Sequence, residues 1–339
     1  MEHAARAGAD SIDATGSSET LASLGETEVL RRIFPLLPAS AEQRLGPGDD
    51  AAVVAAPDGR FVVTTDLMVD GPDFRWAWSS PHDIGWKAAA SNLSDVAAMG
   101  ARPSALVVAI AAPASTPVER LEGIARGLRD CCETLAPGCG VVGGDLSVSD
   151  VFTVAVTAFG DLEGRAPVLR TGARAGDVVA VSGELGLAGH GLRLLFDRAV
   201  DVGGAPDPDR AAALRREEPH AVGGQLTPRP PIGDGVLAAA AGATAMIDLS
   251  DGLAIDAGRL AAASGIALAL DSAALGPVPA RSLAGGEDHS LLACFPPGVP
   301  LPGGFRPIGR VVAGQGVLVD GSPVDGGGWD PYRGWDGRF

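Results

Sequence analysis

Lysine is almost absent from this sequence: across 339 residues Lys87 is the only one, although arginine is plentiful. That position excludes a Walker-type phosphate loop, which needs Gly-Lys followed by Ser or Thr, because Lys87 stands between Trp86 and Ala88. Basic residues are outnumbered, 26 Lys and Arg against 42 Asp and Glu, and the net charge of −16 argues against a nucleic-acid or anionic-membrane surface. Cysteine is scarce as well. Cys131, Cys132, Cys139 and Cys294 form no CxxC pair and no histidine stands at zinc-ligand spacing, so reduced thiols in a cytoplasmic protein are expected. No apolar run reaches the roughly 18 residues of a membrane span: residues 105–112 stop at Pro113, and residues 236–247 are interrupted by Gly242 and Thr244. The opening Met1-Glu2-His3 lacks the basic and then apolar stretches of a secretory signal, and residues 1–24, small and polar, read as a frayed tail.

What is present describes a packed chain. Hydrophobic residues make up 46% and charged residues 20%, far from the composition of disorder, and the length suggests two domains of about 150 residues each. Residues 26–37 place Val29, Leu30, Ile33, Phe34 and Leu37 at helical spacing before Pro38. The apolar runs 51–56 and 61–65 flank Pro57-Asp58-Gly59-Arg60 and predict a hairpin. Ser80-Pro81 supplies an N-cap and a first-turn proline for a helix over 81–99, on which Lys87, Ser91 and Asp95 fall along one line. Strands are predicted over 105–111, 151–159, 178–182, 245–248 and 266–270, and helices over 117–135, 210–218 and 253–264, with a second unit beginning near 160–165. The fold class is therefore mixed α/β, with a tail over 1–24, an N-terminal domain over 25–162 and a C-terminal domain over 163–339.

Aspartate recurs beside the apolar strands. Gly46-Pro47-Gly48-Asp49-Asp50 precedes one, Thr64-Thr65-Asp66 ends a second, Gly143-Gly144-Asp145 ends a third and Asp248-Leu249-Ser250-Asp251-Gly252 ends a fourth, while Asp95 lies mid-helix among Leu93, Val96 and Ala97. Singly, each has an ordinary reading, since Asp and Gly favour turns and helix N-caps. Asp251 could cap the next helix, and Asp95 could face solvent or pair with Lys87. Together they would crowd negative charge, which raises carboxylate pKa values unless cations neutralise it. Magnesium suits hard donors such as these carboxylates and the hydroxyls of Thr64 and Thr65; calcium is the alternative, but the sequence has no EF-hand loop. Gly143-Gly144 would admit a phosphate to backbone N–H groups, or simply make a tight turn. His82 and His289 flank these motifs without a partner pattern and read as structural.

The ordered segments GPGDDAAVV, VVTTDLMVDG, KAAASNLSDVAAMGARP, VVGGDLS, RTGARAGD, MIDLSDGL and GGEDHSLL resemble the thiamine-monophosphate kinase family of the aminoimidazole ribonucleotide synthetase-like superfamily, over residues 25–336. The resemblance implies a two-domain protomer with an N-terminal mixed sheet forming a homodimer interface, and transfer of the ATP γ-phosphoryl group to thiamine monophosphate. Carried over by motif, Asp50, Thr64, Thr65, Asp66, Asp95, Asp145, Asp248 and Asp251 are expected to ligate several magnesium ions, directly or through water. Gly144, Asp145, Arg170 and Ser250 are expected to contact ATP; Asp73, Glu287 and Trp335 are expected to hold the acceptor, a carboxylate and an aromatic face suiting a cationic thiazolium. The sequence departs from the family at Asp73, where a histidine is usual, and at Gly337-Arg338-Phe339, where the chain commonly ends His-Phe. No general base is expected, because the acceptor phosphate is already mostly a dianion at neutral pH, with a second pKa of about 6. The alternatives are a purine-synthetase or hydrogenase-maturation type of ATP-using enzyme, and a catalytically idle nucleotide-binding scaffold.

Overall fold

The computed structural model describes residues 19–45 and 52–324, so Asp50, Trp335 and Gly337 lie outside the described residues. Two short helices, α1 (Leu21–Leu24) and α2 (Glu26–Ile33), lead in. Leu21 to Leu24, assigned above to the tail, are helical because Thr20 and Ser23 exchange hydrogen bonds in a capping box and the Leu21 N–H donates to the Thr116 carbonyl. Pro35 converts the end of the next predicted helix into a 3-10 turn at Phe34–Leu36.

The predicted hairpin does not form. Strand β1 (Gln43–Leu45) pairs with β2 (Val53–Val54), whereas β3 (Val62–Val69) pairs antiparallel with a strand ninety residues further on. Three more strands, β4 (Arg102–Ala112), β5 (Gly140–Val148) and β6 (Thr153–Asp161), complete a sheet in the order β3-β6-β4-β5. Asp66 and Asp145 consequently sit within strands rather than at their ends, because pairing with β6 and β4 continues past both residues.

Helices α3 (Pro81–Ala98) and α4 (Val118–Leu135) cover one face of this sheet. Ser80 and Asp83 form a capping box at the start of α3. Along α3 only Pro81, His82 and Asp95 escape full burial. The two helices meet backbone to backbone. A Cβ on Gly85 would lie 2.1 Å from the Ile124 carbonyl oxygen, and one on Gly127 would lie 2.1 Å from that of His82. Gly127→Ala is therefore expected to destabilise the protein by about 1–3 kcal/mol through overpacking. Chemical denaturation measures this, and an unchanged midpoint would contradict such a close approach.

The remaining chain runs β7 (Val178–Ser182), α5 (Leu187–Arg198), α6 (Pro208–Glu217), α7 (Pro219–Leu226), α8 (Ile232–Ala240), β8 (Ala245–Leu249), α9 (Leu253–Ser264), β9 (Ala267–Leu270), α10 (Pro279–Ala284), β10 (Ser290–Phe295), β11 (Arg306–Val312), β12 (Gly316–Val319) and β13 (Ser322–Pro323). Its strands form a seven-stranded sheet in the order β13-β12-β9-β11-β7-β10-β8. Strand alternation gives this sheet two apolar faces. Ala180, Met246, Leu291, Ala293 and Phe295 join the core around α3, while Val179, Val181, Ile247, Leu292 and Cys294 pack with Leu253 and Leu260 of α9. A smaller core of Leu195, Leu214, Val222 and Leu226 fastens α5, α6 and α7 to Trp78, whose indole N–H donates to the Ala199 carbonyl at 2.9 Å. Helix α3 thus runs between the two sheets, touching β3, β4 and β6 on one side and β8 and β10 on the other.

Candidate active site

Strand β3, helix α3 and strand β8 bring a group of carboxylates together. The period of two on β3 turns Thr64 and Asp66 toward α3 and Thr65 toward the open face. The Thr64 hydroxyl donates to Asp95 Oδ2 at 2.8 Å, and the Asp66 N–H donates to Asn92 Oδ1 at 3.1 Å. From β8, Asp248 Oδ2 lies 3.4 Å from the Ser94 hydroxyl and 3.6 Å from His289 Nδ1. Burial, reinforced by the charges of Asp248 and Asp66, pushes the Asp95 carboxyl up to about 7 despite the Thr64 hydrogen bond. Burial also raises Asp66, with Asp248 adding to the rise and His289 opposing it. Burial alone would favour neutral His289, but its contact with Asp248 outweighs this and raises its pKa.

Both histidines therefore have partners that the sequence hid. His289 belongs to the carboxylate group, and His82 Nε2 lies 2.9 Å from Asp130 Oδ2 on the neighbouring helix. Asn92, whose amide also donates to the Ala88 carbonyl at 2.9 Å, is a further member that motif reading missed. Its position beside Ser91 and Asp95 on α3 was the available signal.

Among the described residues the other expected ligands make different contacts. Thr65 donates to the Val156 carbonyl at 2.9 Å. Asp145 is exposed on β5 opposite Ala109. Asp251 is held by Arg259 at 2.5 Å, and its N–H donates to Asp256 at 2.9 Å. The Ser250 carbonyl accepts the Glu287 N–H at 2.7 Å, and the carbonyl of exposed Arg170 accepts the Ser264 hydroxyl at 2.9 Å. Gly144 has a structural requirement, since a Cβ there would lie 2.0 Å from the Val108 carbonyl oxygen, whereas Gly143 faces open space. Among the described residues no three acidic or histidine side chains form a closed metal cage. The donors present still fit magnesium. It takes hard oxygens, retains several waters and needs only one or two carboxylates beside substrate phosphates, and a cation would offset the burial and the neighbouring charges that raise Asp95.

One end of α3 opens on a cavity of about 590 Å³ between the 71–79 loop, α5, α7 and residues 278–287. Asp73, Lys87, Gln225 and Glu287 line it. Asp73 Oδ2 accepts the Val69 N–H at 2.7 Å, and burial raises its carboxyl pKa. The segment Glu287-Asp288-His289 sends three successive side chains to three places. Glu287 accepts hydrogen bonds from Lys87 Nζ at 3.0 Å and from the Gln225 amide. Asp288 turns to the start of α5, accepting the Ala188 N–H at 2.7 Å and that of Gly186. His289 reaches the carboxylates. Glu287 and His289 take φ values of 64° and 53°, a region costly for non-glycine residues, so the alternation is held against local backbone preference. Burial favours a neutral Glu287, yet Lys87 and Gln225 hold its pKa below the usual value.

The family model described as AIR synthase related protein, N-terminal domain, matches residues 48–162. The chain is 45% identical to the thiamine-monophosphate kinase of Mycobacterium tuberculosis, with 94% of this chain and 93% of that protein covered. It is 39% identical to that of Corynebacterium glutamicum, covering 94% and 97% respectively. Among solved structures it resembles AaThiL complexed with AMPPCP and TMP, at a TM-score of 0.70 and 32% identity over 92% of this chain and 98% of that one.

Proposed function

Because this chain belongs to the thiamine-monophosphate kinase family, we propose that it transfers the γ-phosphoryl group of ATP directly to thiamine monophosphate, forming thiamine diphosphate. The observation that carries the reading is the run of α3 from the acceptor-sized cavity at Lys87 to the carboxylate group at Asp95. One helix thereby sets the spacing between an acceptor and a metal-nucleotide.

Thr64, Asp66, Asp95 and Asp248 are the residues we assign to magnesium on both geometry and motif. Thr65, Asp145, Asp251 and Asp50 are assigned on motif alone, as are Gly144, Arg170 and Ser250 for ATP. Asp73 and Glu287 line the acceptor cavity. Magnesium, when bound, supplies neutralisation of the phosphate charges as they approach. The protein's own part is alignment. Thr64 fixes the Asp95 carboxylate, Asn92 fixes the edge of β3 at Asp66, and Ser94 with His289 fixes Asp248. The acceptor phosphate, mostly ionised at neutral pH with a second pKa of about 6, needs no proton removed.

We assign residues 25–162 and 163–339 to two domains, and the open face of the N-terminal sheet to a homodimer. Phe61, Val63 and Leu67 leave that face apolar and exposed. Turnover of Mg-ATP with thiamine monophosphate and a stereochemically labelled γ-phosphorus tests the central reading. Inversion is expected; retention, or ATP turnover without thiamine diphosphate, would overturn direct transfer to this acceptor.

A further inference from the structure

Lys87 is only 7% exposed, and its ammonium has three donors, of which Glu287 takes one among the described residues. It lines the acceptor cavity, yet lies two helical turns from Asp95, about 12 Å along α3. Its charge reaches Asp73 on the cavity side and His289 on the carboxylate side. The only lysine in the chain therefore stands at the junction where an acceptor phosphate would meet the nucleotide. An unpaired ammonium buried at such a point is costly, and Glu287 offsets that cost. Glu287 is held at φ 64° and bonded to both Lys87 and Gln225, which leaves little of its charge for a cationic ring.

We propose that Lys87 binds the phosphate of the acceptor, a phosphomonoester dianion, and that Glu287 is the positioning residue that aims Lys87 rather than the group that contacts the thiazolium. This rests on the kinase reading above. Asp73 is then the cavity's carboxylate for the cationic ring.

Calorimetric titration of the full chain with thiamine monophosphate and with thiamine, which lacks the phosphate, separates the roles. Lys87→Met is expected to weaken binding of the ester about 100-fold, equivalent to about 2.7 kcal/mol, and to leave thiamine binding unchanged. Lys87→Arg should recover most of the loss. Glu287→Gln should weaken the ester and spare thiamine. Because Lys87→Met strands a partly buried carboxylate, the double variant Lys87→Met/Glu287→Gln is the second arm: a bridge serving only the fold would be restored by removing both charges, whereas a phosphate site stays lost. Equal weakening of ester and alcohol by Lys87→Met, no weakening, or selective loss of thiamine in Glu287→Gln would overturn the proposal. Failure of the wild-type protein to phosphorylate the ester would instead sink the kinase reading, whatever the variants bind.

Discussion

Asp95→Asn is expected to reduce kcat by at least about 100- to 1,000-fold while leaving the metal-free protein as stable as before or more so. The two effects have one cause. Burial and the charges of Asp248 and Asp66 push this carboxyl from its ordinary 3.8 to about 7, so the free protein is penalised for ionising the group that we assign to a bound cation. Asparagine keeps the shape and an acceptor for the Thr64 hydroxyl but removes a like charge. The full shift corresponds to about 4 kcal/mol, an upper bound on the stability regained at alkaline pH. Turnover and thermal melting in chelator read the two effects separately. Turnover near the wild-type value would remove Asp95 from the site, and a large loss of stability would refute the repulsion.

Without magnesium, stability is expected to fall as pH rises from about 4 to about 7, and the stabilisation conferred by magnesium to grow over the same interval. The direction follows from proton uptake. A carboxyl whose folded pKa exceeds its unfolded value keeps a proton that the unfolded chain has released, so raising the pH through that window favours unfolding. Asp95 spans 3.8 to about 7, and Asp256 and Asp288, both raised to about 6 chiefly by burial, act in the same sense over a shorter window. His289, also raised, contributes stability that is present below its unfolded pKa and lost as pH climbs through its folded one. Glu287, held low by Lys87 and Gln225 against the opposing effect of burial, opposes these, since its contribution is lost as pH falls. Melts from pH 5 to 8 with chelator or magnesium check the balance. A chelated protein that gains stability up to pH 8, or a magnesium effect indifferent to pH, would be incompatible with a strained carboxylate group.

Local features were legible in the sequence. The Ser80 cap and the first-turn proline predicted α3, and with it the line of Lys87, Ser91 and Asp95 along the helix. Long-range pairing was not legible. The 51–56 and 61–65 runs read as a hairpin because proximity in sequence was the only available criterion, whereas β3 was claimed by β6 across the intervening helices and strands. The same limit hid His289, whose contact with Ser94 joins residues 195 positions apart, and Lys87–Glu287, joined across 200. Asp248 and Asp66 could be nominated by motif, but that they meet at Asp95 depends on the placing of β8 beside α3.

The burial of α3 from both sides also has a consequence for synthesis. Its contacts with β3, β4, β6 and α4 are available once about 160 residues have emerged, but its other flank waits for Met246, Leu291 and Phe295. At roughly 5–20 residues per second, the ribosome needs on the order of 10 s to deliver that second half. During this interval the nascent N-terminal half presents the apolar flank of its central helix to water. The length of that exposed stage is thus set by the distance along the chain between α3 and β10.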